Sequence, residues 1–344
     1  MTETTPTVDM SGRLVGRGHP TWIIAEIGIN HEGSVDRCAE MIKAAAAAGA
    51  DAIKLQTVDP DENYMPGTES YRLFSKAMLT REETAAMFDL SRSLGIAPFT
   101  TAGDFRTLEW VDRLAPVAHK VSSGLMTHLP LIRRIAATGR PILMSTGMAE
   151  GGQILESLAC ARNAGASRIA MLHCVSLYPC APELLNLAAI AKLEAKSNVP
   201  VGFSDHSLGV EAAALSVAAG ACIIEKHFTF DSSRPGYDHP ISLDARGFAE
   251  MVRKVRAAEA MLGDPDRPLT KEEALKARAM HRILVARRAI AAGQVLSEQD
   301  VAFKRPNPGL SGLGPAQYEA VLGRRVAAAL SENEPITADA LLPA

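Results

Sequence analysis

The sequence predicts a closed (β/α)8 barrel, a TIM barrel, followed by a small, mainly β module. Three observations carry this. Eight short β-branched runs alternate with amphipathic helical stretches, which implies a parallel sheet, and eight units over about 245 residues is the count that closes a barrel. Gly49, Gly95, Gly139, Gly165 and Gly220 each close a helix just before the next strand. From Asp264 onward the texture changes to turns and short strands. An open doubly wound sheet would also alternate in this way, but no Gly-x-Gly-x-x-Gly turn follows the first strand.

Taken in order, the expected strands are 22–29, 51–57, 97–101, 119–123, 141–146, 168–174, 199–206 and 222–228. The helices that follow them are 34–48, 80–94, 107–114, 129–138, 154–164, 187–196, 210–219 and 245–262, with a long polar loop before the second. Residues 264–273 form a polar, Pro-bearing linker into a charged helix near 271–278. Beyond it, 293–301 (GQVLSEQDV) and 333–341 (NEPITADAL) echo each other: a turn, an apolar pair, a Ser/Thr cap and a short helix start. The expected organisation is an extension over 1–18, a barrel over 19–263, a linker over 264–281 and the module over 282–344. A module this small sits near the lower size limit for a stable core and is expected to lean on something else.

Composition agrees with two ordinary globular domains, since 344 residues at ~150 per domain gives about that number. Apolar residues make up 47% and charged residues 22%, and Lys+Arg 36 against Asp+Glu 39 gives a net charge of −3. That balance excludes a general basic nucleic-acid binder. No basic stretch followed by an apolar run opens the chain, and no apolar run approaches the ~20 residues of a membrane span. Five cysteines without a Cys-x-x-Cys pair suggest reduced thiols. The expectation is a cytoplasmic protein with neither a nucleic-acid nor a membrane partner.

In a barrel the working side chains sit at the C-terminal ends of the strands. There the sequence offers Glu26, Asn30 and His31 after strand one, and Lys54 and Gln56, two apart and so on one face, on strand two. Strands three to five end in Thr100 and Thr101, in Lys120, Ser122 and Ser123, and in Ser145 and Thr146. Strand six leads to Cys174, Ser176 and Tyr178, strand seven carries Ser204 and His206, and strand eight Glu225 and His227. Two lysines within a ring of hydroxyls suit a phosphate, whose charge and oxygens they match. His206 and His227 suit two imidazole ligands of a divalent metal with open positions. Glu26 and Gln56 suit the hydroxyls of a polyol.

Each reading has a plainer rival. An inward lysine is often half of a structural ion pair, and Lys54 has Glu26 and Glu225 as candidate partners. A lone histidine is usually a satisfied core or surface residue; two on neighbouring strands beside the Lys/Ser/Thr cluster favour a ligand role. No Gly-x-Ser-x-Gly elbow surrounds Ser145 or Ser204, which argues against a hydrolase nucleophile. Cys174, flanked by apolar residues, reads as core.

The motifs AEIGINHEG (25–33), GADAIKLQT (49–57), STGMA (145–149), GFSDHS (202–207) and IEKHFT (224–229) resemble those of the N-acetylneuraminate synthase family, as do PGYDH (235–239) and KRP (304–306). The resemblance implies a (β/α)8 barrel joined to a C-terminal antifreeze-like (SAF) domain. It implies condensation of phosphoenolpyruvate with an open-chain N-acylated hexosamine, giving a nine-carbon 2-keto-3-deoxy acid and phosphate. Lys54, Thr101, Lys120, Ser123, Ser145 and Ser204 would hold phosphoenolpyruvate. Glu26, Gln56, Tyr178 and Asp238 would bind the sugar, with Glu26, Lys54, Lys120 and Asp238 as the catalytic set. His206 and His227 would ligate Mn2+, Mg2+ or Co2+. Arg305 would reach the N-acyl group from the SAF domain of a partner chain in a domain-swapped homodimer.

The chain departs from the family pattern in four places. Leu125 stands where an acidic residue is usual, which leaves Glu26, Asp238 or metal-bound water to move the proton. Val175-Ser176 replaces Thr-Asn, Thr100-Thr101-Ala102 replaces Ser-Thr-Pro, and Tyr237 replaces the proline before Asp238. These changes bear on sugar identity more than on reaction class. Two further readings are a Schiff-base aldolase using Lys54 or Lys120, and a non-catalytic barrel that binds a sugar acid, which Leu125 would suit.

Overall fold

A computed structural model describes residues 6–264 and 266–343 and divides the chain into two compact units, Met1–Gly263 and Asp264–Ala344. The first opens with an antiparallel hairpin, β1 (Thr7–Met10) and β2 (Arg13–Gly16). Eight parallel strands then close into a barrel: β3 (Trp22–Gly28), β4 (Ala52–Thr57), β5 (Ala97–Ala102), β6 (His119–Val121), β7 (Ile142–Ser145), β8 (Ile169–Cys174), β9 (Val201–Asp205) and β10 (Ile223–His227), with β10 pairing back onto β3. The glycines expected to end helices do so with left-handed backbone, as at Gly49 (φ +91°) and Gly220 (φ +103°). No described helix is long and apolar enough to cross a membrane.

The period of two along each strand sorts the side chains. Ile23, Ala25, Ile27, Ile53, Leu55 and Val121 face outward and pack with helices such as α1 (Val35–Ala47) into the main core. Inside the barrel, Trp22, Ile24, Ala52, Phe99, Leu143, Leu172 and Ile223 form an apolar floor, with Trp22 stacked on Phe99 at 5.7 Å. Val8, Met10 and Val15 of the hairpin pack into this floor from below. The N-terminal extension thus carries a strand pair that plugs the barrel. Two residues further along each strand the inward positions become Glu26, Lys54, Lys120 and Glu225, so the charged layer rests on a dry base.

The expected long polar loop after the second barrel strand instead holds two helices, α2 (Pro60–Asn63) and α3 (Glu69–Ala77). Asp59 and Thr68 cap them by accepting hydrogen bonds from the backbone N–H groups of Asp61 and Tyr71, local signals overshadowed by the polar composition. The second unit contains the antiparallel pair β11 (Ile283–Ala286) and β12 (Val301–Lys304) around a core of Leu284, Ile290, Leu296, Val326 and Ile336. Its internal echo is structural: Gly293 and Asn333 both turn with positive φ (+78° and +70°), and Leu296 and Ile336 both bury.

Candidate active site

A cavity of about 400 Å³ opens at the C-terminal end of the barrel. At its base lie four buried charges. Lys120 Nζ donates to both oxygens of Glu225, at 2.9 and 3.0 Å, across the barrel interior. Lys54 Nζ sits 2.6 Å from Glu26 Oε2 and 3.8 Å from Glu225 Oε1. Ser204 donates to Glu225 at 3.1 Å, and Gln56 to Glu26 at 2.7 Å. A register shift between Glu26 and Gly28, with Gly28 at φ +55°, accompanies the approach of the Glu26 and Gln56 side chains.

The two carboxylates diverge in acidity. Burial opposes ionisation of both. Lys120 and Lys54 nevertheless hold Glu225 down at about 2, whereas burial and the charge of Glu225 push Glu26 up to about 7 despite Lys54. Such a pair, one fixed as an anion and one able to carry a proton near neutrality, is the pattern of an acid–base site. Burial lowers Lys120, while the two carboxylates raise Lys54 against the same burial. Both lysines are engaged with Glu26 and Glu225, so the ion-pair reading of Lys54 holds alongside its place in the cavity wall.

His206 and His227 lie side by side above this layer, ring centroids 5.5 Å apart. Nδ1–H of His206 donates to the Val175 carbonyl at 2.8 Å, an arrangement that directs Nε2 away as a free lone pair. His227 is buried, its Nδ1 has no hydrogen-bond partner, and burial, His206 and Lys54 hold its pKa well below the ordinary histidine value. Asp205 and Lys226, each one residue before a histidine, form a fully buried pair at 2.9 Å on the outer face and tie the two strand ends together. A neutral imidazole with an orphaned nitrogen beside a second with a free nitrogen fits a borderline divalent ion such as Co2+ better than the harder Mn2+ or Mg2+, which favour oxygen ligands. Among the described residues no three His, Cys, Asp or Glu side chains group as a metal cage, so His206 and His227 are the candidate ligands here.

Of the other sequence-predicted residues, Ser123, Ser145, Gln56, Tyr178 and Asp238 line the same cavity. The Ser145 hydroxyl is buried without a partner, a donor available to an anion. Tyr178 stacks on His206 at 4.2 Å, and Asp238 Oδ2 approaches His227 Nδ1 to 3.5 Å. Thr101 is buried on β5 with an unpartnered hydroxyl but is not part of the cavity wall. Arg305 lies exposed in the second unit, just past β12. Tyr64, Leu73 and Phe74, which the sequence did not announce, join Tyr237 in a largely apolar rim.

Residues 41–267 match the NeuB family and residues 281–342 match the SAF domain. The chain belongs to the NeuB family. It is 36% identical to a pseudaminic acid synthase of Campylobacter jejuni, over 88% of this chain and 92% of that protein. It is 30% identical to an N,N'-diacetyllegionaminic acid synthase of Legionella pneumophila, over 92% and 93% of the two chains. Among solved structures it is similar to an N-acetylneuraminic acid (sialic acid) synthetase of Leptospira borgpetersenii in complex with citrate. That similarity has a TM-score of 0.76 at 29% identity and covers 81% of this chain and 99% of that one.

One reading is corrected and one departure is placed. Cys174 is not plain core: it lines the cavity, accepts from the Ser123 hydroxyl at 3.4 Å and sits 3.9 Å from His206 Nδ1. Burial would raise this thiol, but His206 outweighs it and the pKa is lowered. Alternation along β8, with Leu172 on the floor and Cys174 two residues above, is the signal that would have found it. Leu125 packs against the main core and is not in the cavity wall, where Ser122, Ser123 and Gly124 stand instead. Gly147 permits the crowding opposite, since a Cβ there would collide with the Ser176 and Ser123 hydroxyls.

Proposed function

We propose that this protein condenses phosphoenolpyruvate with an N-acylated hexosamine to a nine-carbon 2-keto-3-deoxy sugar acid, releasing phosphate. The acceptor is N-acetylmannosamine or a 2,4-diacetamido-6-deoxy hexose, giving an acid of the sialic, legionaminic or pseudaminic type. The observation that carries this reading is the buried Lys54–Glu26–Lys120–Glu225 layer under two ligand-competent histidines, in a chain of the NeuB family.

Lys54 and Lys120, with the Ser123, Ser145 and Ser204 hydroxyls, would bind the phosphate and carboxylate of phosphoenolpyruvate; Thr101, outside the cavity wall, would not touch it. Glu26, Gln56, Tyr178 and Asp238 would hold the open-chain sugar with its aldehyde facing carbon 3 of the enol. The rim of Tyr64, Phe74 and Tyr237 suits the methyl groups of N-acyl arms. A divalent ion, held by His206 and His227, would supply polarisation of the aldehyde oxygen when bound. Carbon 3 attacks the aldehyde, and Glu26, able to carry a proton near neutrality, donates it to the oxygen that becomes a hydroxyl. Water adds at carbon 2, one of its protons restoring Glu26 directly or by way of Asp238; the carbon–oxygen bond to phosphate then breaks, the proton of the new hydroxyl leaves with the phosphate, and the keto group forms. Holding both reactants in one closed mouth supplies much of the rate.

In a cytoplasmic homodimer with exchanged SAF domains, Arg305 of one chain would meet the N-acyl group in its partner's barrel. The Schiff-base alternative asks for a lysine free to attack a carbonyl, and here both lysines are committed to carboxylates.

The test is phosphate release from phosphoenolpyruvate with Mn2+, with and without a panel of N-acyl hexosamines, with products read by mass spectrometry. Release that depends on one sugar, with a nine-carbon acid appearing, is expected. Borohydride trapping of pyruvate on a lysine, or tight sugar-acid binding with no phosphate released from any acceptor, would overturn the reading.

A further inference from the structure

We propose that Asn30 and Glu32, in the turn after β3, are positioning residues that latch the loop 229–242 and thereby set acceptor specificity. This rests on the reading that Asp238 meets the sugar. That loop follows the last barrel strand and carries Tyr237 and Asp238, which both line the cavity. It contains no helix or strand except a short 3-10 turn over His239–Ile241, so its shape depends on what holds it.

The hold is specific and comes almost wholly from two residues. Glu32 Oε1 and Oε2 accept from Arg234 Nε and Nη2 at 2.8 and 2.9 Å, a bidentate pair between residues far apart in the chain. The same carboxylate accepts from His239 Nε2 at 3.0 Å and from Arg37 Nη1 at 2.8 Å. Arg37 belongs to the first turn of α1, so the anchor is tied to a rigid element. His239 is fully buried; the Glu32 carboxylate can only accept, which makes Nε2–H the donor, and Nδ1 lies 2.7 Å from the Thr229 hydroxyl. Both guanidinium groups lie over the Phe230 ring, that of Arg37 4.7 Å and that of Arg234 5.3 Å from its centroid.

Asn30 completes the latch from the cavity side. It is fully buried, its Oδ1 accepts from the backbone N–H of Asp238 at 3.1 Å, and its Nδ2 donates to Phe228 O and Ser242 Oγ. Ser242 in turn donates to the Asp238 carbonyl at 2.5 Å. The backbone of Asp238 is therefore held on both sides, immediately after Tyr237, whose left-handed φ of +48° costs energy in a residue with a Cβ. None of these anchoring side chains lines the cavity, so the latch acts through Asp238 and Tyr237 rather than by touching substrate.

The experiment compares wild type, Glu32→Gln, Arg234→Met, the double variant and Asp238→Asn in the phosphate-release assay, each substrate varied in turn. Hydrogen exchange of 229–242 is followed in parallel. Loss of the carboxylate charge that Arg234, Arg37 and His239 share is expected to raise the KM for the sugar about tenfold in Glu32→Gln, with the KM for phosphoenolpyruvate within about twofold. The double variant should be no worse than the poorer single one, because both remove the same contact. Exchange should quicken in 229–242 and not in the barrel strands, and Glu32→Asp should recover part of both effects. Equal rises in both KM values, or unchanged exchange of the loop in Glu32→Gln, would overturn the latch. If Asp238→Asn leaves the sugar KM unchanged while Glu32→Gln still loosens the loop, the sugar-binding reading of Asp238 fails, and with it the claim on specificity.

Discussion

Lys120 and Glu225 face each other across the barrel interior, the lysine nitrogen 2.9 and 3.0 Å from the two carboxylate oxygens, both side chains buried. With Lys54 and Glu26 they form a charge-balanced group of four before any anion arrives. Glu225→Gln removes one charge and leaves two lysines competing for Glu26. The variant should lose about 3 kcal/mol of stability, as breaking a buried ion pair commonly does. Added phosphate or phosphoenolpyruvate should restore more of its melting temperature than it does for wild type, because the anion takes the vacated place. Thermal melts with and without phosphate check this; equal shifts in both proteins would contradict it.

His206→Ala and His227→Ala should each abolish metal-dependent turnover while leaving the far-ultraviolet dichroism spectrum of the barrel unchanged. A single remaining imidazole in an open site holds a divalent ion far more weakly. Metal content after gel filtration is the decisive reading, and near-full metal with near-full turnover in either variant would refute the ligand assignment.

His31 gives the clearest pH dependence. It is buried, with Nδ1 accepting from the Gly33 N–H, and burial lowers its pKa from 6.5 to about 4. The unfolded chain therefore binds a proton between those values that the folded chain refuses, and stability falls as pH drops from 6.5 toward 4. The slope from this one group is about 1.4 kcal/mol per pH unit within that window. Urea unfolding of wild type and His31→Gln at pH 7, 6 and 5 should show the variant losing stability less steeply by about that amount per unit.

Met10 is 1% exposed and packs with Trp22 and Phe99 in the barrel floor. Met10→Ala should cost about 2–4 kcal/mol by leaving a cavity there. The KM values should stay unchanged, because the plug and the reactive mouth occupy opposite ends of the barrel. Urea melts paired with steady-state kinetics separate the two effects.

If Arg305 serves the partner's barrel, mixing two inactive chains should create active sites. Lys120→Met keeps Arg305 but has a dead barrel, whereas Arg305→Ala keeps its barrel and lacks the reaching arginine. Random exchange makes half the dimers mixed, each with one complete site, so about a quarter of wild-type activity should appear. Mixtures no more active than the parents would rule out the swap.

What the sequence determined by itself is what periodicity and local chemistry encode. Alternating strands and helices with glycine at helix ends implied a parallel sheet, the count of eight pointed to a closed barrel, and the strand ends located Glu26, Lys54, Lys120, His206 and Glu225 at one mouth. The motif pattern also pointed to the family. Only the tertiary structure decided which charges meet: Lys120 with Glu225, 105 positions apart, and Glu32 with Arg234, 202 apart. Such pairs depend on strand register and on closure of the barrel, which no local pattern carries. The hairpin plug escaped for the same reason, whereas the cavity-facing Cys174 followed from alternation along its strand but was masked by its apolar neighbours. An apolar residue near a strand end reads alike whether it faces helices or the barrel interior, until register fixes which side each position takes.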